Sequence, residues 1–258
     1  MMCLRIIKKA INKIKTGGFS YFYKLLLSKI KLHILDKIVY VFYYCYSFLY
    51  SRVSGNPLVY VVGDSHSFSF RNTRSFLVKY IGPATAYKLR FKDNRTRSNE
   101  QLFSIIRKIN KKRNLVLLVF GEVDCRVHIY NNSQKKNKSI GSLIDDTIFS
   151  YGDVLELLTV NRVNLVVCGV PPANIQGNVY RYPYYAAPQV QRDIKKEFNG
   201  KLKNYCQNNG YKYLELFNKF SDENGFILDE YKRDDVHLSN KIMKYVKHWF
   251  YKEFGYKL

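Results

Sequence analysis

From residue 57 onward, short apolar runs rich in β-branched residues alternate with longer stretches of helical period, and this rhythm leaves few architectures open. The runs are LVYVV (58–62), FLVKYI (76–81), NLVLLVF (114–120), NLVVCGV (164–170) and YKYLELF (211–217). Between several of them lie the helical stretches NEQLFSIIRKINKK (99–112), residues 142–160 and PQVQRDIKKEFNGKLKNYCQNNG (188–210), with a last helix from about Ser239. Strands that are apolar on both faces must be covered on both faces, and strands joined through helices run parallel. The pattern predicts an α/β fold: a three-layer α/β/α sandwich around a mostly parallel five-stranded sheet. A chain of 258 residues, 47% apolar, can bury that core and carry an appendage. In such sheets the functional groups lie beyond the carboxyl ends of the strands.

The appendage is residues 1–55, and the domain is residues 56–258. In MMCLRIIKKAINKIKTGG, Ile7, Ile11 and Ile14 fall at i, i+4 and i+7, while Lys8, Lys9, Lys13 and Lys15 lie mostly off that stripe. This is amphipathic-helix spacing with a basic polar face, stopped by Gly17 and Gly18. A second run, IVYVFYYCYSFLY (38–50), is apolar for 13 residues between Lys37 and Arg52, too short to span a bilayer. Two readings stand: a pair of helices packed on the domain, or an anchor lying on the cytoplasmic face of an anionic membrane.

Chemistry-bearing residues recur where strands run out. GDSH (63–66) follows the first run, a glycine at 82 the second, GEVDCRVH (121–128) the third, and DDVHLS (234–239) precedes the last helix. A serine becomes a nucleophile when a base takes its proton and a third group holds the base in the right tautomer. Asp234 and His237, at i and i+3, can form such a pair on one turn, with Ser239 as cap of the final helix. The expectation is Ser65 as nucleophile, His237 as base and Asp234 as orienter. His66 adjoins Ser65, but neighbouring side chains diverge, so it is expected as a wall or structural residue of the site.

The order of these blocks resembles the SGNH/GDSL hydrolase superfamily over about residues 57–250. The resemblance implies a flavodoxin-like SGNH fold, with Gly63, Asp64 and Ser65 as the first block and Asp234 and His237 as the last. It also implies that Gly82 is an oxyanion donor. The third block is normally Gly-x-Asn-Asp, whose Asn also donates to the oxyanion; here it reads Gly121-Glu122-Val123-Asp124, and Val123 has no donor. Arg126, three residues past that position, can reach the same space, with Glu122 or Asp124 fixing its guanidinium; a purely structural ion pair is the equal alternative.

The full set is similar to SGNH-type proteins of bacterial surface-polysaccharide biosynthesis loci. That similarity implies acyl-ester chemistry on a glycan or sugar precursor, as an esterase (deacetylase) or O-acetyltransferase. The loop PPANIQGNVYRYPYYAAP (171–188) is consistent with it, since Tyr180, Arg181, Tyr182 and Tyr184 could stack on or hydrogen-bond to sugar; packing of a long loop is the alternative. Other readings are a non-catalytic glycan-binding module and a membrane-associated assembly protein.

The remaining features exclude several classes. The net charge of +23 is scattered from end to end without a recognisable module, which argues against a nucleic-acid partner. Five separate cysteines without a Cys-x-x-Cys pair, and no signal peptide, point to a reducing, cytoplasmic location. No phosphate-cradling glycine loop is present, so no nucleotide cofactor is expected. Glu122, Asp124 and His128 alternate along one stretch but lack a second His-rich element, and no metal is expected.

Overall fold

The computed structural model describes residues 35, 38–92, 95–110, 112–175 and 185–258. Among these, helix α1 covers residues 38–54. Strand β1 is Val59–Gly63, β2 Phe76–Tyr80, β3 Leu115–Val119, β4 Asn164–Cys168 and β5 Lys212–Leu214. The helices between them are α2 (Ser98–Lys108), α3 (Ile129–Lys136), α4 (Ile140–Val160) and α5 (Pro188–Asn208), followed by the short α6 (Phe217–Phe220) and by α7 (Met243–Phe254). The strands form one sheet in the order β2-β1-β3-β4-β5, with every neighbouring pair parallel. This is the flavodoxin-like order, whose direction reverses between β1 and β3.

The apolar runs divide cleanly between two layers because successive strand residues point to opposite faces. Val59, Val61, Leu115, Leu117 and Val166 pack with Phe70, Val246 and Phe250 on the α7 side. Val62, Val116, Leu118 and Val167 pack with Leu102, Ile144, Leu155 and Phe198 from α2, α4 and α5. Each strand thus feeds both layers, which is why it reads as continuous rather than alternating. Local signals set the helix starts: the Ser139 side chain accepts the N–H of Ser142 to cap α4, and Pro188 opens α5.

Two sequence expectations need correction. The fifth run is a strand for three residues only. Glu215 turns the chain by accepting the N–H of Asn218 at 3.2 Å, and α6 follows. Ser239 does not cap the last helix with its side chain. It precedes a 3₁₀ turn (Asn240–Ile242), its backbone N–H binds Tyr231 C=O at 2.7 Å, and its Oγ is buried without a partner among the described residues.

One compact unit spans Ser47–Leu258 and so takes in the last turns of α1. Ser47 Oγ accepts the N–H of Ser75 at 3.1 Å, the Arg113 guanidinium donates to Ser51 C=O, and the Arg74 guanidinium lies 4.1 Å from the Tyr50 ring centre.

Candidate active site

The strand register determines which loops meet. Gly63 pairs with Tyr80 on one side and with Val119 on the other. Carrying that register two residues further sets Ser65 level with Gly82 and Gly121, at the switch point of the sheet. Gly82 and Gly121 have φ of +88° and +105°, which glycine alone adopts at no steric cost. At Gly121 a Cβ would also lie 2.7 Å from the Phe198 ring. Both strands can therefore turn sharply beside the serine.

Ser65 opens a 3₁₀ turn, Ser65–Phe70, whose preceding residue Asp64 accepts the N–H of His66 at 2.8 Å. That turn holds Ser65 Oγ 2.8 Å from His237 Nε2, across 172 residues of chain. His237 Nδ1 in turn lies 2.8 and 3.0 Å from the two oxygens of Asp234. Asp234 Oδ1 also accepts the N–H groups of Val236 and His237 at 3.0 and 2.9 Å, so the loop builds its own carboxylate cradle. Burial acts to raise the Asp234 carboxyl, but those two N–H groups and the His237 ring outweigh it and hold the group below its ordinary range. His237 is shifted down from the usual 6.5, by burial first and by the charge of His66 second, against the opposing pull of Asp234. The result is a neutral imidazole facing a hydroxyl, an arrangement able to accept the serine proton.

The backbone N–H groups of Ser65 and Gly82 make no hydrogen bond among the described residues. Val123 is half-buried just before a π-helical turn, Asp124–His128, and has no side-chain donor. Arg126 sits on that turn. Its Nε donates to both oxygens of Glu122, at 2.9 and 3.1 Å, so Glu122 and not Asp124 fixes the guanidinium. Asp124 is consumed elsewhere: its two oxygens accept the N–H groups of Ala86 and Tyr87 at 2.7 and 3.2 Å, tying the β2 loop to the β3 loop. Burial, only partly offset by those bonds, pushes its carboxyl up to about 7.

Behind Ser65 lies a charged cluster only partly visible in the sequence. His66 is buried, with Nδ1 3.0 Å from Asp64 Oδ1 and Nε2 3.3 Å from Val236 O. Glu122, 2% exposed, lies 3.5 Å from His66 Nε2 and accepts Lys195 Nζ at 3.0 Å. Burial alone would raise the Glu122 carboxyl; Lys195, His66 and Arg126 together hold it well below the carboxylate range. Lys195 was not anticipated, although a signal exists. It shares the buried face of α5 with Gln191, Ile194, Phe198 and Leu202, where a lysine is costly without a partner.

Tyr180, Arg181, Tyr182 and Tyr184 lie outside the described residues. Glu122, Asp124 and His128 do not converge, and among the described residues no cluster of His, Cys, Asp and Glu could hold a metal ion.

No family model matches the chain, and no curated protein matches it in sequence. Solved structures do. A Bacteroides fragilis protein described as a candidate acylhydrolase superposes with a TM-score of 0.52 at 20% identity, over 79% of this chain and 92% of that one. A GDSL-like lipase from Bacteroides thetaiotaomicron gives 0.51 at 19% identity, over 81% and 97%. A Streptococcus pneumoniae protein described as a candidate platelet activating factor gives 0.53 at 14% identity, over 89% and 99%. At these identities the likeness is one of fold: the chain has the five-stranded α/β fold of GDSL-like lipases and acylhydrolases.

Proposed function

We propose that the protein is a serine-dependent acyl-ester hydrolase or acyltransferase of the SGNH/GDSL type, acting on an O-acylated glycan or sugar precursor. The observation that carries this reading is the unbroken chain from Ser65 Oγ through His237 to Asp234, with hydrogen-bond spacing at each step. In the proposed mechanism Ser65 attacks the ester carbonyl while His237 Nε2 takes its proton. Asp234 holds Nδ1 protonated and steadies the imidazolium that forms. The N–H groups of Ser65 and Gly82 receive the oxyanion. His237 then returns the proton to the leaving alcohol, and water or an acceptor hydroxyl releases the acyl group. Sugar specificity is assigned to the loop carrying Tyr180, Arg181, Tyr182 and Tyr184. No resident cofactor takes part in this scheme.

The test is turnover of p-nitrophenyl acetate and release of acetate from an O-acetylated polysaccharide, each compared with Ser65→Ala. Loss of turnover on the order of a millionfold is expected, as for a nucleophile in a unit of this kind. Retained turnover in Ser65→Ala rules the mechanism out. A sugar acceptor that diverts the acetyl group from water identifies transfer.

We further propose that the protein binds an anionic membrane surface. Support comes from α1, where Ile38, Val41, Phe42, Leu49 and Val53 expose their side chains, and from ten Lys/Arg against one acid through residue 55. Among the described residues no helix is long and apolar enough to cross a membrane.

A further inference from the structure

His66 bridges the turn after β1 and the loop that carries His237. Its Nδ1 points at Asp64 Oδ1, 3.0 Å away, and that oxygen already accepts the backbone N–H of His66 at 2.8 Å. Its Nε2 points at the carbonyl of Val236, 3.3 Å away, with Glu122 Oε2 at 3.5 Å. A peptide carbonyl can only accept, and a carboxylate already receiving hydrogens from Arg126 and Lys195 does the same. A neutral imidazole would turn a lone pair toward one of these oxygens. Only the form protonated on both nitrogens satisfies them together.

Val236 is the residue before His237, and the two histidine rings have centroids 4.6 Å apart at 39°. The ring of His66 therefore meets the base in two ways, through a carbonyl on its loop and through space.

We propose that His66 is held as an imidazolium and is a positioning residue for His237: its Nε2–H clamps the His237 loop through Val236 C=O, while its fixed positive charge keeps His237 in the proton-accepting form. This rests on the reading of Ser65 and His237 as nucleophile and base. The groups that face His66 are Asp64 at the end of β1, Glu122 after β3, Lys195 on α5 and the His237 ring before α7. Those that face His237 are Asp234, Arg233 and His66. Around His66, burial opposes the charged form, but Glu122 and Asp64 outweigh it and raise its affinity for a proton. A like charge in contact makes a second protonation harder, so His237 should remain neutral below its ordinary range. The arrangement would let the base work in mildly acid surroundings, where a histidine paired only with aspartate would already be blocked.

The experiment is a ¹⁵N NMR titration of the histidine rings in the full chain, with assignment by single substitution, and it needs no substrate. In the wild type, both ring nitrogens of His66 should still carry protons at a pH above the ordinary imidazole midpoint, where a free imidazole is largely neutral. In His66→Gln, the midpoint of His237 should rise by about one unit, because Asp64 and Glu122 are then less compensated and the like charge is gone. The acid limb of kcat/KM should move up by the same amount. A His66 ring with one protonated nitrogen at that pH overturns the proposal, as does a His237 midpoint unmoved in His66→Gln. Should His66→Gln fail to fold, the wild-type ring state alone decides. Absence of turnover would remove the proposed function but leave both ring measurements standing.

Discussion

At the residue scale, the departure that matters most is Val123. An oxyanion site that loses one donor typically loses about a hundred- to a thousandfold in rate. Val123 stands where the resembling family carries an Asn donor, so the proposed oxyanion site is left with the Ser65 and Gly82 N–H groups and, as an option, the Arg126 guanidinium. Arg126 has its Nε locked on Glu122, and its terminal nitrogens make no hydrogen bond among the described residues. Val123→Asn should therefore raise kcat by up to about a hundredfold with KM nearly constant. If Arg126 supplies the missing donation, Arg126→Lys should lower kcat by a similar factor in the Val123 background and much less in the Asn background. Unchanged kcat in both variants would mean that the two backbone donors suffice. That Ser65, His237 and Asp234 meet was legible because their blocks have fixed local spacing: Asp234 and His237 share a turn, and Ser65 follows an unmistakable strand. The partner of Glu122 was not, since Lys195 lies 73 residues away and only the fold brings the two within 3.0 Å.

At the element scale, the clamp formed by Glu122 joins three pieces of structure: α5 through Lys195, the π-helical turn through Arg126, and the turn after β1 through His66. Removing one partner of a buried ion pair costs about 3–5 kcal/mol, because an uncompensated charge stays behind. Glu122→Gln removes the negative charge that compensates Lys195, 2% exposed, and leaves its ammonium only neutral acceptors such as the Pro172 carbonyl at 3.3 Å, so a loss of that order is expected in urea unfolding. The pH dependence has a definite sign. Glu122 has a folded pKa below its ordinary 4.5, so its stabilisation is complete above that value and is lost as the pH falls toward the folded pKa. Glu122→Gln should flatten that acid limb; a loss under about 1 kcal/mol with the limb intact would show that the clamp carries little. The five strands were readable from their apolar runs, and α4 and α5 from their period. The end of β5 was not, because LELF continues the apolar pattern while the Glu215 carboxylate turns it by accepting the Asn218 N–H, a bond that periodicity does not register.

At the scale of the whole molecule, a parallel sheet in flavodoxin-like order collects every proposed catalytic group at one switch point, while α1 carries exposed apolar side chains and the sequence before it is strongly basic. Basic residues near an anionic surface contribute on the order of 1 kcal/mol each, and salt screens that contribution but not apolar insertion. The full chain should co-sediment with phosphatidylserine-containing vesicles at low salt and be released only in part by high salt. Phe42→Ser with Leu49→Ser should make release complete, and equal retention by that variant would remove α1 from membrane contact. The central claim is that Ser65 is an activated nucleophile, and labelling of the intact chain by a fluorophosphonate tests it most directly. The account predicts a single adduct mapped to Ser65, absent in Ser65→Ala and strongly slowed in His237→Ala. A folded wild-type chain that takes up no label, or a label that persists in Ser65→Ala, would contradict it.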